Sequence, residues 1–329
     1  MILGKTIFAI DSNTAGCPSR IVVGGIPPIF GNTMKKKSEY FTKNLDFIRT
    51  ALCLEPRGLP GVVCAIVTPP TDPKANLGVL YMDADYHCIP TCGSATMGLV
   101  TAAIEYGLVD PVEPVTTVVL DTVAGLVTAR AKIEGGSVES VSLLFPPFFH
   151  YKSFVVDVPN IGRVPMDLAS SEGSSIALVS SVDIGVSVDK KNKSELMEIA
   201  MKIRETVKSK FKVKEHFLVR IFNRPTSDGK RIKSLTMVAP GERGVDRSPC
   251  GTGTSAHTAV LYAKKKIKLN HEISHESITG GIFRAKAVAL ARVDKFDAII
   301  PEITGSAYTI GINTLVLSPN DPFKHGFSL

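Results

Sequence analysis

The 329-residue chain has no tryptophan, and its aromatic residues amount to only 7%. Binding of nucleic acid wants a basic face interleaved with aromatic side chains. The 38 basic residues exceed the 31 acidic ones by a modest +7, in short runs such as Lys35-Lys36-Lys37 and Lys264-Lys265-Lys266. Those runs read as solvated faces, and no nucleic-acid partner is expected. No apolar stretch reaches the ~20 residues that cross a bilayer. The first ten residues carry Lys5 amid too short an apolar segment for a signal peptide. A membrane partner is therefore not expected, and a cytoplasmic location is. The six cysteines, at 17, 53, 64, 88, 92 and 250, are too few to staple a chain of this length. Reduced thiols are expected, and their chemistry becomes the question.

What is present is ordinary for an enzyme-sized globular protein: 44% apolar residues, 21% charged, 27 glycines and 21 prolines. At roughly 150 residues per domain, two domains are expected. The opening reads as a strand, Thr6 to Ile10, a polar turn, Asp11 to Gly16, and a second apolar stretch, Ile21 to Val23. Helical spacing runs from Asp46 to Leu54, followed by strand-like runs at Val62 to Val67 and Gly78 to Met82. A glycine-studded turn, Thr91 to Gly98, then leads to an apolar helix, Leu99 to Tyr106. Strand texture resumes at 115–120, 126–131, 138–144 and 176–179. A 3.6-periodic stretch from Ser194 to Lys208 predicts a surface helix, and strands follow at 217–221 and 235–238. A second glycine turn, Gly244 to Thr254, feeds a second apolar helix, Ala256 to Lys264. The halves rhyme, each passing through strands to a Cys-Gly turn and a helix apolar on most sides. One α/β fold used twice is expected.

The two turns align as Cys92-Gly93-Ser94-Ala95-Thr96 and Cys250-Gly251-Thr252-Gly253-Thr254. Glycine permits tight backbone approach, and the hydroxyl residues suit capping of the helix that follows. A helix start carries partial positive charge and unpaired N–H groups, which favour a thiolate and bind carboxylate. Two such ends on one cleft would supply a base on one face of a carbon, an acid on the other, and dipoles to absorb charge on a carboxylate. That is the requirement for inverting a carbon that bears a weakly acidic hydrogen. Cys53 reads as a core residue. Cys64 reads as core or as pocket lining. His87-Cys88 with Cys92 lacks the spacing of a zinc site, so no metal is expected. A cysteine nucleophile with His87 or His257 as base leaves the duplication unexplained. No phosphate-cradling or dinucleotide fingerprint is present.

At these residues the chain resembles the proline racemase family, which includes hydroxyproline 2-epimerases and trans-3-hydroxy-L-proline dehydratases. The match is strongest from Asp246 to Ala256, Asp-Arg-Ser-Pro-Cys-Gly-Thr-Gly-Thr-Ser-Ala. Similar words occur at Gly31 to Met34, Glu55 to Gly58, Gly78 to Met82, Gly305 to Tyr308 and Asp321 to Phe323. The resemblance implies an α/β fold of the α+β type: two related lobes of the diaminopimelate epimerase kind. Each would be a barrel-like sheet around a central helix, with the active site in the interdomain cleft. Residues 1–124 with 306–329 would form the lobe carrying Cys92, and residues 125–305 the lobe carrying Cys250.

It also implies cofactor-independent, two-base inversion at C2 of proline or a hydroxyproline. Cys92 and Cys250 would be the acid and base, Gly93, Ser94, Gly251 and Thr252 would hold the carboxylate, and Asp246 would meet the ring nitrogen. Family members are often homodimers. Dehydratase members commonly keep one cysteine of the pair, so the two here favour a racemase or epimerase. Three positions depart from the family pattern. Ser94 replaces a histidine, and Asn13 and Cys17 replace a histidine and a glutamate. These departures leave the ring substituent open. They also keep two alternatives in view, a dehydratase and a catalytically silent imino-acid-binding protein.

Overall fold

The computed structural model describes residues 5–238 and 244–328. The first four residues, part of the segment read as too short for a signal peptide, lie outside the described residues. The chain forms two compact units, Met1–Leu143 with Ser306–Leu329, and Leu144–Gly305. The first contains β1 (Lys5–Thr14), β2 (Cys17–Gly24), α1 (Met34–Asn44), α2 (Asp46–Cys53), β3 (Val63–Thr68), β4 (Leu77–Met82), α3 (Gly93–Glu105), β5 (Val115–Thr122), β6 (Gly125–Glu134) and β7 (Ser137–Leu144). The second contains β8 (Phe149–Val158), β9 (Gly162–Ser170), β10 (Ser174–Ser180), α4 (Ser181–Ile184), α5 (Lys193–Lys210), β11 (His216–Phe222), β12 (Arg231–Met237), α6 (Gly251–Ala263), β13 (Ile273–Ser277), β14 (Ile282–Val293) and β15 (Phe296–Gly305). The last strand, β16 (Ala307–Leu317), returns to the first unit beside β1.

The duplication expected from the two Cys-Gly turns appears in the strand pairing. In the first unit the order is β16-β1-β2-β3-β4-β5-β6-β7, and in the second β8-β9-β10-β11-β12-β13-β14-β15. Successive pairs in the first run antiparallel, antiparallel, parallel, antiparallel, parallel, antiparallel, antiparallel. The second repeats that series. Helices enter where the strands run parallel, because a parallel neighbour needs a crossover. Thus α1 and α2 join β2 to β3 as α4 and α5 join β10 to β11, and α3 joins β4 to β5 as α6 joins β12 to β13.

Each unit is a mixed α/β assembly in which a sheet wraps a central helix. α3 packs on β1, β2, β3, β6 and β16, and α6 on β8, β9, β10, β11, β14 and β15. This explains why both helices are small-residued and apolar nearly all round: every residue from Ala95 to Ile104 is buried, as is every one from Gly253 to Val260. The outer helices are amphipathic. α5 sets Leu196, Ile199, Ala200, Ile203 and Val207 into a second core with β-strand residues such as Val219 and Met237. α1 and α2 do the same over Cys64, Ile66, Leu80 and Met82.

Several expectations need correction. The turn expected over Asp11 to Gly16 shrinks to Ala15 and Gly16, both with positive φ. The polar residues before it continue β1 because Asp11 pairs with Arg20 across the hairpin at 2.9 Å, and Ser12 and Thr14 are buried. The boundary expected after residue 124 falls at 143/144, since β6 and β7 extend the sheet from β5. Helix α1 was not anticipated, and its basic run is not uniformly solvated. Lys36 pairs with Glu39 at the surface, while Lys37 is buried with its ammonium donating to Thr68 Oγ1 and the Pro69 carbonyl. Cys64 lines no pocket wall: it is fully buried beneath α2, its sulfur 3.1 Å from that of Cys53. Strand alternation points it to the outer-helix side and leaves Ala65 facing α3.

Candidate active site: two thiols at two helix starts

Both helices begin earlier than glycine content suggests. α3 starts at Gly93 and α6 at Gly251, so the supposed turns form first helical turns and each cysteine is the N-cap residue. Ser94 and Thr252 therefore sit inside the helix rather than capping it. The Cys92 carbonyl accepts from the Thr96 amide at 2.8 Å, and the Cys250 carbonyl from the Thr254 amide at 2.8 Å. First-turn amides have no carbonyl partner within their own helix, which leaves an anion-binding rim beside each sulfur.

In the first unit Cys92 is partly exposed, in extended backbone (φ −138°, ψ 112°), with its sulfur 3.6 Å from Ser94 Oγ. Gly93 and Ser94 are likewise partly exposed. Thr14 Oγ1, at the end of the β1–β2 hairpin, donates to the Ser94 carbonyl at 2.9 Å. That hydrogen bond brings the segment containing Asn13 and Cys17 to this helix start. Asn13 itself accepts from the Gly16 amide at 2.8 Å and so builds the turn. Beneath α3, Tyr81 and Thr96 share a buried hydrogen bond of 2.7 Å. Burial drives the Tyr81 phenol well above its ordinary range, so the pair is neutral.

In the second unit Cys250 is buried and lies in the left-handed region (φ 64°), a conformation rarely tolerated by a residue with a Cβ. Its sulfur accepts from the Gly253 amide at 3.3 Å, a cap made by sulfur rather than oxygen. Asp246 is tied to the same turn. One carboxylate oxygen takes the Ser248 amide at 2.9 Å and the Ser248 hydroxyl at 2.8 Å, and that hydroxyl accepts from the Cys250 amide at 3.1 Å. Gly251 and Thr252 are partly exposed. A Cβ on Gly251 would run into the Phe145 ring, so a larger residue there would have to push that ring aside.

Burial pushes the Cys250 thiol well above its ordinary pKa. The Asp246 charge adds to this, while the Gly253 amide and Arg220 oppose it. Cys250 is therefore a thiol at neutral pH. The nucleophile–histidine alternative finds no support in the histidines' surroundings. His87 is exposed and held by Asp46 at 2.8 Å, and His257 packs against the rings of Phe222 and His275. Among the described residues no group of three or more metal-binding side chains comes together, and no helix is long and apolar enough to cross a membrane.

The structure thus gathers Cys92, Gly93 and Ser94 at one helix start, and Asp246, Cys250, Gly251 and Thr252 at the other. Sequence reasoning missed the supporting residues Ser248, Thr14 and Arg220. Ser248 lies inside the Asp246 to Ala256 motif and was the one most open to detection.

Comparison with known proteins identifies relatives across the whole chain. A proline racemase from Clostridioides difficile is 42% identical over all of this chain and all of its own. A 4-hydroxyproline 2-epimerase from Streptosporangium roseum is 37% identical over 99% of each chain. The crystal structure of a hydroxyproline epimerase from Agrobacterium vitis with bound trans-4-hydroxy-L-proline matches with a TM-score of 0.86 at 29% identity, over 100% of this chain and 96% of that one. The model of the family described as proline racemase matches residues 9–328, and the chain belongs to that family of isomerases.

Proposed function

We propose that the protein is a cofactor-independent racemase or epimerase that inverts C2 of proline or a hydroxyproline, with Cys92 and Cys250 as its two acid–base groups. The observation that carries this is the pair of cysteines at the N-cap positions of equivalent helices of a duplicated fold. In this reading both helix starts meet one substrate. The amides of Gly93, Ser94, Gly251 and Thr252 hold the carboxylate, and Asp246, fixed by Ser248, accepts from the ring ammonium.

In one direction Cys92 acts as the thiolate base and Cys250 as the thiol acid. The Cys92 thiolate takes the C2 hydrogen as a proton, and the electron pair left behind delocalises into the carboxylate, where the helix dipoles stabilise it. The Cys250 thiol then donates its proton to the opposite face of C2 and becomes the thiolate. The enzyme is left with its roles exchanged, ready for the other enantiomer. Ser94 stands beside the Cys92 sulfur, where its hydroxyl serves as donor or acceptor for a ring substituent.

Incubation with L-proline and with trans-4-hydroxy-L-proline in heavy water tests the reading. The expected product of one or both is the C2 epimer carrying solvent deuterium at C2. Absence of exchange with both removes the proposal, and release of a cyclic imine from trans-3-hydroxy-L-proline would move the chain to the dehydratase branch.

A further inference from the structure

The repeated strand pairing lets the two units be compared residue by residue beneath their catalytic helices. On β3 and β4, Cys64 faces Met82, Ala65 faces Tyr81, and Ile66 faces Leu80. On β11 and β12, Val219 faces Met237, Arg220 faces Thr236, and Ile221 faces Leu235. Val219 and Met237 join the outer-helix core as Cys64 and Met82 do, so Arg220–Thr236 occupies the place of Ala65–Tyr81. Under α3 that place holds a small residue and a neutral phenol. Under α6 it holds a fully buried guanidinium.

Among the described residues the hydrogen bonds of Arg220 go to neutral groups: Nη1 donates to Thr236 Oγ1 at 2.9 Å and to the Pro249 carbonyl at 2.6 Å, and Nη2 meets His275 Nδ1 at 3.1 Å. Its Nε has no acceptor among the described residues. The Pro249 carbonyl immediately precedes Cys250, and it also accepts from Thr254 Oγ1 at 3.0 Å. A Cβ on Gly253 would stand 3.0 Å from Arg220 Nη1, so glycine is what lets the first turn of α6 settle on the guanidinium.

We propose, building on the acid–base role given to Cys250, that Arg220 is a positioning residue for that thiol: it clamps the Pro249 carbonyl that holds Cys250 in its left-handed conformation, and its buried charge favours the thiolate that forms when Cys250 gives up its proton. A buried cation whose hydrogen bonds go to neutral groups is costly, and the cost falls when a further negative charge appears beside it. The charged and titratable groups facing it are Asp246 and Cys250 from the 246–250 turn, His257 from α6 and His275 from β13. Asp167 and Lys264 act at one remove, on His257. Burial and Arg220 itself keep both imidazoles neutral at physiological pH. Burial lowers Arg220 only to about 10, so it remains a cation. Among the described residues, Asp246 and Cys250 are the acidic groups that face it. The first unit has no such cation at this position, so only one of the two thiols is supported in this way.

The test is alkylation of Cys250 by iodoacetamide between pH 7 and 12, with rates taken from brief pulses, followed on the Cys250 peptide by mass spectrometry, with no substrate present. Its outcome is therefore separable from that of the racemase reading. The variant combining Arg220→Ala with Thr236→Tyr copies the first unit's pair, removing the charge while refilling the space. Its alkylation midpoint should rise by about one pH unit or more, with the circular dichroism spectrum unchanged. Arg220→Lys keeps a cation and should hold the midpoint within about half a unit of the parent. If the protein inverts C2, the double variant should also lose about tenfold or more in kcat with little change in KM. A folded double variant with the parental midpoint would overturn the proposal, as would a rise of a full unit in Arg220→Lys.

Discussion

The starts of α3 and α6 carry nearly the same five-residue word and occupy the same place in a repeated fold, yet they present their sulfurs differently. Cys92 is partly exposed in relaxed extended backbone above a neutral Tyr81–Thr96 pair. Cys250 is buried in left-handed backbone, capped onto the Gly253 amide, and set between Asp246 and Arg220. Duplication supplies two equivalent positions, and the residues beneath and beside them make the positions chemically unequal.

The largest expected effect comes from removing either sulfur. Cys92→Ala and Cys250→Ala should each lower kcat/KM for C2 inversion by about 10³-fold or more, read by chiral chromatography. An unequal pair in which only one variant fails would break the symmetry of role. Next comes Gly251→Ala, whose added methyl must displace either the Phe145 ring or the start of α6. A displacement on the order of 1 Å at a catalytic group costs about 10²-fold in kcat/KM, with a smaller loss of stability measurable in urea.

A third effect concerns stability in the second unit alone. Burial would raise the Asp167 carboxyl, but hydrogen bonds from His150, Lys264 and Ser153 win and hold it well below the usual carboxylate range. A depressed carboxyl stabilises above its unfolded pKa and loses that contribution as pH falls through the folded value. Asp167→Asn should therefore cost about 1–2 kcal/mol at pH 7, and the gap from the parent should narrow below about pH 4. Urea midpoints across that range check it.

The smallest effect is alkaline. Cys64, raised by its hydrogen bond with Cys53 and by burial, and Cys250, raised by burial and Asp246, both favour the thiol in the folded state. Their contribution is complete below the ordinary thiol pKa of about 8.5 and is lost as pH rises beyond it. The thermal midpoint should fall above that pH, and less so in Cys64→Ala. In that variant the ratio of proline to hydroxyproline turnover should stay unchanged, because the residue lies in the outer-helix core.

The fold around the candidate site was legible where spacing and composition coincide: the two Cys-Gly words, the apolar helices behind them, and the 3.6-periodic stripe of α5. Helix α1 was hidden because Lys37, its inward-facing charge, looks like any surface lysine until Thr68 and the Pro69 carbonyl receive it. The glycines of both first turns disguised helix as loop, since sequence alone does not say that Phe145 and Arg220 occupy the space a side chain would need. For Cys64 the sequence left core and pocket lining both open, because strand register decides between them and composition does not. Arg220 was invisible for a related reason. Its meaning comes from a partner 16 residues away on β12 and a carbonyl 29 residues away.

A crystal structure of the protein with pyrrole-2-carboxylate, a planar ring acid that mimics flattened C2, tests the central claim most directly. The account predicts both sulfurs on opposite faces of that carbon, each about 3–3.5 Å from it, with the carboxylate on the two helix starts. A complex with only one sulfur within reach of the ring, or with the sulfurs in separate cavities, would contradict it.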